Sequence, residues 1–357
     1  MLVVGAGLVG LSIAWLLQRR GHQVLLLDPA LDGPPAANAG SWAALGVLMA
    51  QVFHRPRGRA WTLRQRSLEL WGQWIALLER EGQAMAYRSG LLLLAADAAE
   101  QQRQQQLAME RQAMGLPLQV WNADRVADLQ PALPASALGG LHSFADGQLD
   151  PLQMRQALLA SARDAGLLTV SQKACCIERA GSHWRLICGD GSRQQAPWLV
   201  LSASMATNQL LQHLGAAIPM QPVLGQAMEL ELPQPLCWGK RWPGAVVWRG
   251  INLVPRPDLP GGRRLWLGAT LEPGDEASPM ALAALQRLGG DGPAWLSQAT
   301  VVRQWQGLRC RPTDRPAPVL AQLEPGLLVA TAHYRNGVLL APATAEWVCQ
   351  QLEQLPN

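Results

Sequence analysis

The first 28 residues constrain the fold more than any other stretch of the chain. Met1–Val4 is a short apolar run. Gly5-Ala6-Gly7-Leu8-Val9-Gly10 follows, then Leu11–Arg20 with apolar residues at helical spacing, then Gly21 and a second apolar run, Val24–Leu27, closed by Asp28. Strand, glycine turn, helix and strand in that order make a βαβ unit for a dinucleotide. Gly5 permits the tight turn, Gly7 lets a pyrophosphate approach the backbone, and Gly10 lets helix and strand pack closely. The helix N-terminus offers free N–H groups and the positive end of its dipole to phosphate. Asp28, 18 residues beyond Gly10, is spaced to accept both hydroxyls of an adenosine ribose, and its charge disfavours a 2′-phosphate. The motif alone leaves FAD and NAD both open.

At 357 residues the chain exceeds one ordinary core, so two domains are expected. A 49% hydrophobic and 16% charged composition excludes a disordered polyelectrolyte. The net charge of +4 is too small and dispersed for nucleic acid to be the main partner. The densest basic cluster, Arg55, Arg57, Arg59, Arg64 and Arg66, reads as a solvated face, with an anion, acceptor or membrane-surface site as the other reading. None of the six cysteines forms a CxxC pair, which fits reduced thiols and a cytoplasmic location. No run approaches a membrane span; Trp42–Ala50 and Leu91–Ala96 have buried-strand length. The glycine motif begins too near Met1 for a signal peptide to precede it.

Further along, Arg64–Glu81 reads as an amphipathic helix and Tyr87–Ala95 as a strand. Ala98–Gly115 reads as a Gln-rich helix with a solvated face, and Asp146–Pro151 as a turn into a helix over Leu152–Ala165. Leu167–Val170, Ala174–Arg179, Trp184–Cys188 and Trp198–Ser202 read as strands. Gly225–Glu231, Ala245–Pro255 and Arg264–Thr270 alternate as an antiparallel sheet does. Leu327–Ala330 is a late strand and Ala343–Gln354 a closing helix. The expectation is a mixed α/β (α+β) fold. A Rossmann-like dinucleotide domain over 1–83, 145–215 and 303–357 interleaves with an antiparallel-sheet substrate domain over 84–144 and 216–302.

Two late segments carry a resemblance: Gly307-Leu308-Arg309-Cys310-Arg311-Pro312-Thr313-Asp314 and His333-Tyr334-Arg335-Asn336-Gly337-Val338-Leu339-Leu340-Ala341-Pro342. Ser41–Leu48, Asp146–Pro151, Pro222–Gln226, Val254–Arg256 and Gly268–Asp275 add to it. Over essentially its whole length the chain resembles the D-amino-acid-oxidase-like FAD-dependent oxidoreductases, and within them the glycine oxidases of thiamine biosynthesis. The resemblance implies non-covalent FAD and oxidation of a small amino acid or amine by hydride transfer to flavin N5. The imine then yields an oxoacid and ammonia, and O₂ is reduced to H₂O₂. It places FAD against Gly5, Gly7, Leu8, Val9, Gly10, Asp28, Pro29, Gly40, Ser41, Leu45, Gly46, Val47, the backbone near Ala174, and His333, Tyr334, Arg335, Asn336, Gly337, Val338 and Leu339. It places the substrate carboxylate on Arg309 with Arg335 as second anchor.

The residue chemistry agrees. A buried carboxylate wants a planar guanidinium that can give it two parallel hydrogen bonds. Asn336-Gly337 reads as a turn whose N–H groups stabilise negative charge on a reduced flavin. No side-chain acid, base or metal ligand is assigned, and His333 reads as a structural or flavin-contact residue. Where the family strand usually carries a substrate-binding Tyr, Asn252 stands here; the only tyrosines are Tyr87 and Tyr334. Leu45, Met49 and Ser204 also depart from the family pattern. These changes leave the substrate open, with a dehydrogenase serving a quinone or protein acceptor, an NAD enzyme and a non-catalytic flavin protein as the other readings. A homo-oligomer is equally compatible with the sequence.

Overall fold

The computed structural model describes residues 1–33, 38–234 and 242–353. Cys237 and the last residue of the expected closing helix, Gln354, lie outside them.

Short runs rich in Leu and Val build the first sheet. Its order is Val319–Glu324, Leu327–Thr331, Leu199–Leu201, Leu2–Val4, Leu25–Leu27, Leu168–Val170, parallel throughout except for the first pair. Successive side chains point to opposite faces of a strand, and here both faces are covered. Val3, Leu26, Val200 and Leu328 pack against the helices Leu8–Arg19, Arg59–Arg80, Pro151–Asp164 and Gly337–Glu353. Leu2, Val4, Leu27, Leu199 and Leu201 pack on the other side, against the three-stranded sheet Ala174–Ala180, His183–Cys188 and Arg193–Ala196.

The second sheet has ten strands. In order these are Glu272–Pro273, Met220–Glu231, Arg264–Gly268, Ile251–Arg256, Ala245–Trp248, Tyr87–Leu94, Gly139–Leu149 and Val47–Leu48, with Thr300–Pro312 on Met220–Glu231 and Gln119–Asn122 on Gly139–Leu149. One pair, Ala245–Trp248 with Tyr87–Leu94, is parallel; the other pairs are antiparallel.

Several expected elements differ. Ala245–Pro255 is not one strand but a hairpin, turning at Arg249 (φ 46°) and Gly250 (φ 82°), the pair of positive φ values that a tight hairpin needs. Asp146–Pro151 is not a turn. The strand Gly139–Leu149 runs through it, because Asp146 is buried and accepts the N–H groups of Ala50 (2.7 Å), Gln51 (2.9 Å) and Val52 (3.0 Å). Burial pushes the Asp146 carboxyl up, against the pull of those bonds. Asp150 instead caps the next helix, accepting from Leu152 and Gln153 N–H.

The closing helix starts at Gly337, six residues before the expected Ala343, and runs through Pro342. A proline there leaves the Val338 carbonyl without its helical partner. Trp71 Nε1 supplies the donor, bonding the carbonyls of Val338 and Leu339 at 3.1 Å each. In the basic stretch Arg55, Arg57 and Arg59 are exposed as expected, but Arg64 is buried and Arg66 pairs with Glu346. The Gln-rich helix, Ala98–Ala113, exposes most of its glutamines, yet Gln104 is buried and donates to Leu94 O. Cys175, Cys176, Cys188, Cys310 and Cys349 are free. Among the described residues no helix is long and apolar enough to cross a membrane.

Candidate functional site

Gly5 takes a left-handed φ of 102°, and a Cβ on Gly10 would overlap the Gly5 carbonyl, so the turn and the helix fit only as glycines. The first helical bond runs from Leu11 N–H to Gly7 O at 2.9 Å. Leu8 N–H goes to Ser41 Oγ at 2.9 Å, and the N–H groups of Val9 and Gly10 have no acceptor among the described residues. Asp28 Oδ2 accepts Ala6 N–H at 2.7 Å and Oδ1 accepts Ala30 N–H at 2.8 Å.

Sequence reasoning missed Arg155. From the helix Pro151–Asp164 its Nε donates to Ala6 O (3.0 Å), and its Nη2 to Ala30 O and Leu31 O (3.3 Å each). Opposite charges thus hold Ala6 and Ala30, Asp28 from the N–H side and Arg155 from the carbonyl side. An arginine on the helix face that carries Met154, Leu158 and Leu159 was the signal for it in the sequence.

Gly40 and Ser41 open the short helix Gly40–Ala43, which leans on the strand Thr300–Pro312: Leu308 N–H bonds Asn38 O at 2.8 Å and Trp305 Nε1 bonds Ala43 O at 3.1 Å. Leu45 is buried with Ala227, Val254 and Trp266. A Cβ on Gly46 (φ 76°) would overlap Leu149 O, and Val47 pairs with Gln148. Pro29 is exposed, and Ala174 starts its strand opposite Cys188.

His333 to Leu339 comes back to the first glycine turn. A Cβ on Gly337 would stand 4.0 Å from Val9 Cγ2, so the N-termini of the first and last helices meet. Asn336-Gly337 is not the expected turn. Tyr334–Asn336 is a 3₁₀ turn, and Gly337 (φ −57°) already begins the helix, so its free N–H groups are those of a helix N-terminus. Ala332 (φ 53°) and Tyr334 (φ 55°) bracket His333 in left-handed conformations. Ser204, where the family commonly has glycine, is left-handed too (φ 57°). His333 is buried, its Nε2 bonded to Thr344 Oγ1 at 2.9 Å; burial, with the Arg59 charge, takes its pKa down to about 3.

Arg309 lies on Thr300–Pro312, opposite Val223 of Met220–Glu231. Its Nη1 donates to Leu224 O and to Thr270 O, both at 3.1 Å. Its Nε and Nη2 have no partner among the described residues, and no carboxylate there lies within ion-pair distance. Burial and the neighbouring Arg335 lower its pKa, but a guanidinium keeps its charge. Arg335 is exposed. Asn252 Nδ2 donates to Gly268 O at 2.9 Å across the strand pair, which leaves its other N–H free of a protein partner. Tyr87 sits exposed at the start of its strand.

A mostly parallel sheet with a phosphate-binding turn at its carboxyl edge, joined to an antiparallel sheet that carries a half-buried guanidinium with no carboxylate partner, defines a dinucleotide-dependent oxidoreductase. The chain belongs to the family of FAD-dependent oxidoreductases described as DAO, whose sequence model matches residues 1–351. It is 26% identical over 360 residues to glycine oxidase of Geobacillus kaustophilus, covering 99% of this chain and 92% of that protein. It is 28% identical to the bifunctional protein ThiO/ThiG of Synechocystis and 27% identical to the bifunctional tRNA 5-methylaminomethyl-2-thiouridine biosynthesis protein MnmC of Cupriavidus metallidurans. The chain spans 50% and 56% of those two, about half their length. The crystal structure of G. kaustophilus glycine oxidase superposes with a TM-score of 0.87, covering 100% of this chain and 95% of that one at 26% identity. Iminodiacetate oxidase from Chelativorans shares the fold, with a TM-score of 0.84 at 21% identity.

Proposed function

We propose that the chain oxidises a small, glycine-like amino acid or amine to the imine, which water converts to an oxoacid and ammonia while O₂ becomes H₂O₂. The observation that carries this reading is Arg309, a half-buried guanidinium with Nε and Nη2 unengaged by protein and no carboxylate within ion-pair distance. A side-on fork of that kind takes a carboxylate through two parallel hydrogen bonds. Arg335 is the second anchor, and Asn252, with one amide N–H free of a protein partner, is the third substrate contact.

FAD fits the residues present. The glycine turn leaves the room a pyrophosphate needs, and Val9 and Gly10 N–H are without acceptors. Gly5, Gly7, Leu8, Val9, Gly10, Asp28 and Pro29 would hold the adenine half, with Arg155 keeping the backbone of Ala6 and Ala30 in place. Gly40, Ser41, Leu45, Gly46, Val47, Ala174 and His333–Leu339 would hold the remainder, with the free N–H groups at the start of the closing helix available to negative charge. Bound FAD supplies the two-electron acceptor. The protein orients the substrate Cα and excludes water. Burial and the Arg59 charge leave His333 a weak base, and its Nε2 is bonded to Thr344, so solvent takes the ammonium proton.

Residues 1–83, 145–215 and 303–357 form most of the cofactor-binding part and 84–144 and 216–302 most of the substrate-binding part, with the strands Val47–Leu48, Gly139–Leu149 and Thr300–Pro312 crossing those bounds to join the antiparallel sheet. A cytoplasmic enzyme serving thiamine thiazole synthesis is the setting this reading takes, supported by the likeness to ThiO/ThiG. The test is anaerobic bleaching of the purified yellow protein with glycine, sarcosine, D-alanine, D-proline and larger amines, followed by peroxide assay in air. Bleaching without peroxide reassigns the protein as a dehydrogenase; no bleaching by any amine removes the catalytic reading.

A further inference from the structure

The two carbonyls that hold Arg309 Nη1 come from separate segments, and a third residue locks them together. Thr270 Oγ1 accepts Gln226 N–H at 2.7 Å, Thr270 N–H bonds Gln226 O at 3.0 Å, and the same hydroxyl donates to Glu272 Oε1. Glu272 Oε1 also accepts Gln226 Nε2 at 2.9 Å, while Oε2 accepts Ser278 N–H at 2.6 Å. Gln226 is two residues past Leu224, whose N–H is held by Gly274 O at 3.0 Å. One carboxylate therefore gathers the strand segment 224–226, the turn 268–272 and the start of the helix Pro279–Gln286. Burial works against the charge on Glu272, but the bonds from Thr270, Gln226 and Ser278 and the Arg309 charge hold its carboxyl below the ordinary range. It is not within ion-pair distance of Arg309.

We propose that Glu272 is a positioning residue: acting through Thr270 and Gln226, it fixes the Leu224 and Thr270 carbonyls so that both N–H groups of Arg309 Nη1 face protein and Nε and Nη2 face the substrate carboxylate. This rests on the reading of Arg309 as the carboxylate anchor. A carboxylate in direct contact with the guanidinium would occupy the fork that the substrate needs. Set one hydrogen bond behind it, the same charge offsets that of Arg309 and leaves the fork open. An amide at position 272 would have one oxygen for three donors, so one of the three bonds would be lost.

The experiment uses the FAD-loaded enzyme. Glycolate, a carboxylate without the amine, is titrated by its effect on the flavin absorbance, and kcat/KM is compared for glycine and for glycine methyl ester, which lacks the carboxylate. Glu272→Gln and Thr270→Val are each expected to weaken glycolate about tenfold and to cut the preference for glycine over its ester by a similar factor, as the loss of one positioned charged hydrogen bond does. The rate with the ester is expected to stay near that of the parent. Equal losses on glycine and ester, or unchanged glycolate affinity, overturn the proposal. If Glu272→Gln fails to hold flavin, Thr270→Val decides. Arg309→Lys run in parallel separates the two ideas. An unchanged preference in that variant removes Arg309 as anchor, whereas a lost preference there with a retained one in the position-270 and position-272 variants removes only Glu272.

Discussion

The guanidinium of Arg309 occupies the space where a side chain on Gly225 would begin: a Cβ there would overlap Cζ, Nη1 and Nη2. The two residues sit on adjacent antiparallel strands, with Gly225 opposite Gly307 and Arg309 opposite Val223. Gly225 is needed here for space, since its backbone is ordinary strand.

Gly225→Ala is therefore expected to push the guanidinium out of its seat. KM for the amino-acid substrate should rise by an order of magnitude or more while FAD stays bound. Combined with Arg309→Ala it should add little, because contacting residues couple. Steady-state kinetics and the flavin-to-protein absorbance ratio check this, and additive losses would refute it.

Arg309→Ala is expected to lower kcat/KM by about two to three orders of magnitude, the effect of removing one partner from a buried charged pair. FAD should remain, because Arg309 bonds Leu224 and Thr270 and no residue of the glycine turn. Loss of flavin from the purified variant would contradict the assignment.

His333 gives a pH prediction. Its pKa is about 3 folded and 6.5 unfolded, so below pH 6.5 the unfolded chain binds the extra proton and stability falls with falling pH. Full stability from this group is present above pH 6.5, and about 2 kcal/mol is lost by pH 5. Denaturant melts of His333→Asn should show a flatter slope over that window. The kcat/KM profile of the parent should carry no ionisation from His333 between pH 5 and 8.

Arg155→Met keeps the length of the side chain and removes its bonds to the carbonyls of Ala6, Ala30 and Leu31. The expected result is weaker FAD loading and a lower melting temperature, with KM for substrate in the flavin-loaded fraction unchanged. A rise in KM at full flavin loading would show that Arg155 serves the substrate side instead.

The sequence was legible where the signal is local. The βαβ unit needs only contiguous residues, and Val3 and Leu26 meet the helices while Leu2, Val4 and Leu27 meet the small sheet because alternation along a strand permits nothing else. It misled where a distant partner overrides local preference. The closing helix is expected to begin at Ala343, after Pro342, yet it starts at Gly337 and runs through the proline because Trp71, more than 260 residues earlier, bonds the carbonyls of Val338 and Leu339. Asp146-Gly147 reads as a turn, yet Asp146 stays in the strand because the backbone of 50–52 supplies its donors. The opening glycines, Asp28 and the segments around Arg309 and His333 named the family and the cofactor from sequence alone. Which N–H groups of Arg309 remain open was decided by carbonyls 85 and 39 residues away, the roles of Gly225 and Glu272 by the same neighbourhood, and the place of Arg155 by packing of the helix on the first turn. Hydrogen-bond direction and free space at a site are set by chain segments that meet only after folding, so residue types and spacing identify the site, while the fold sets how its groups point.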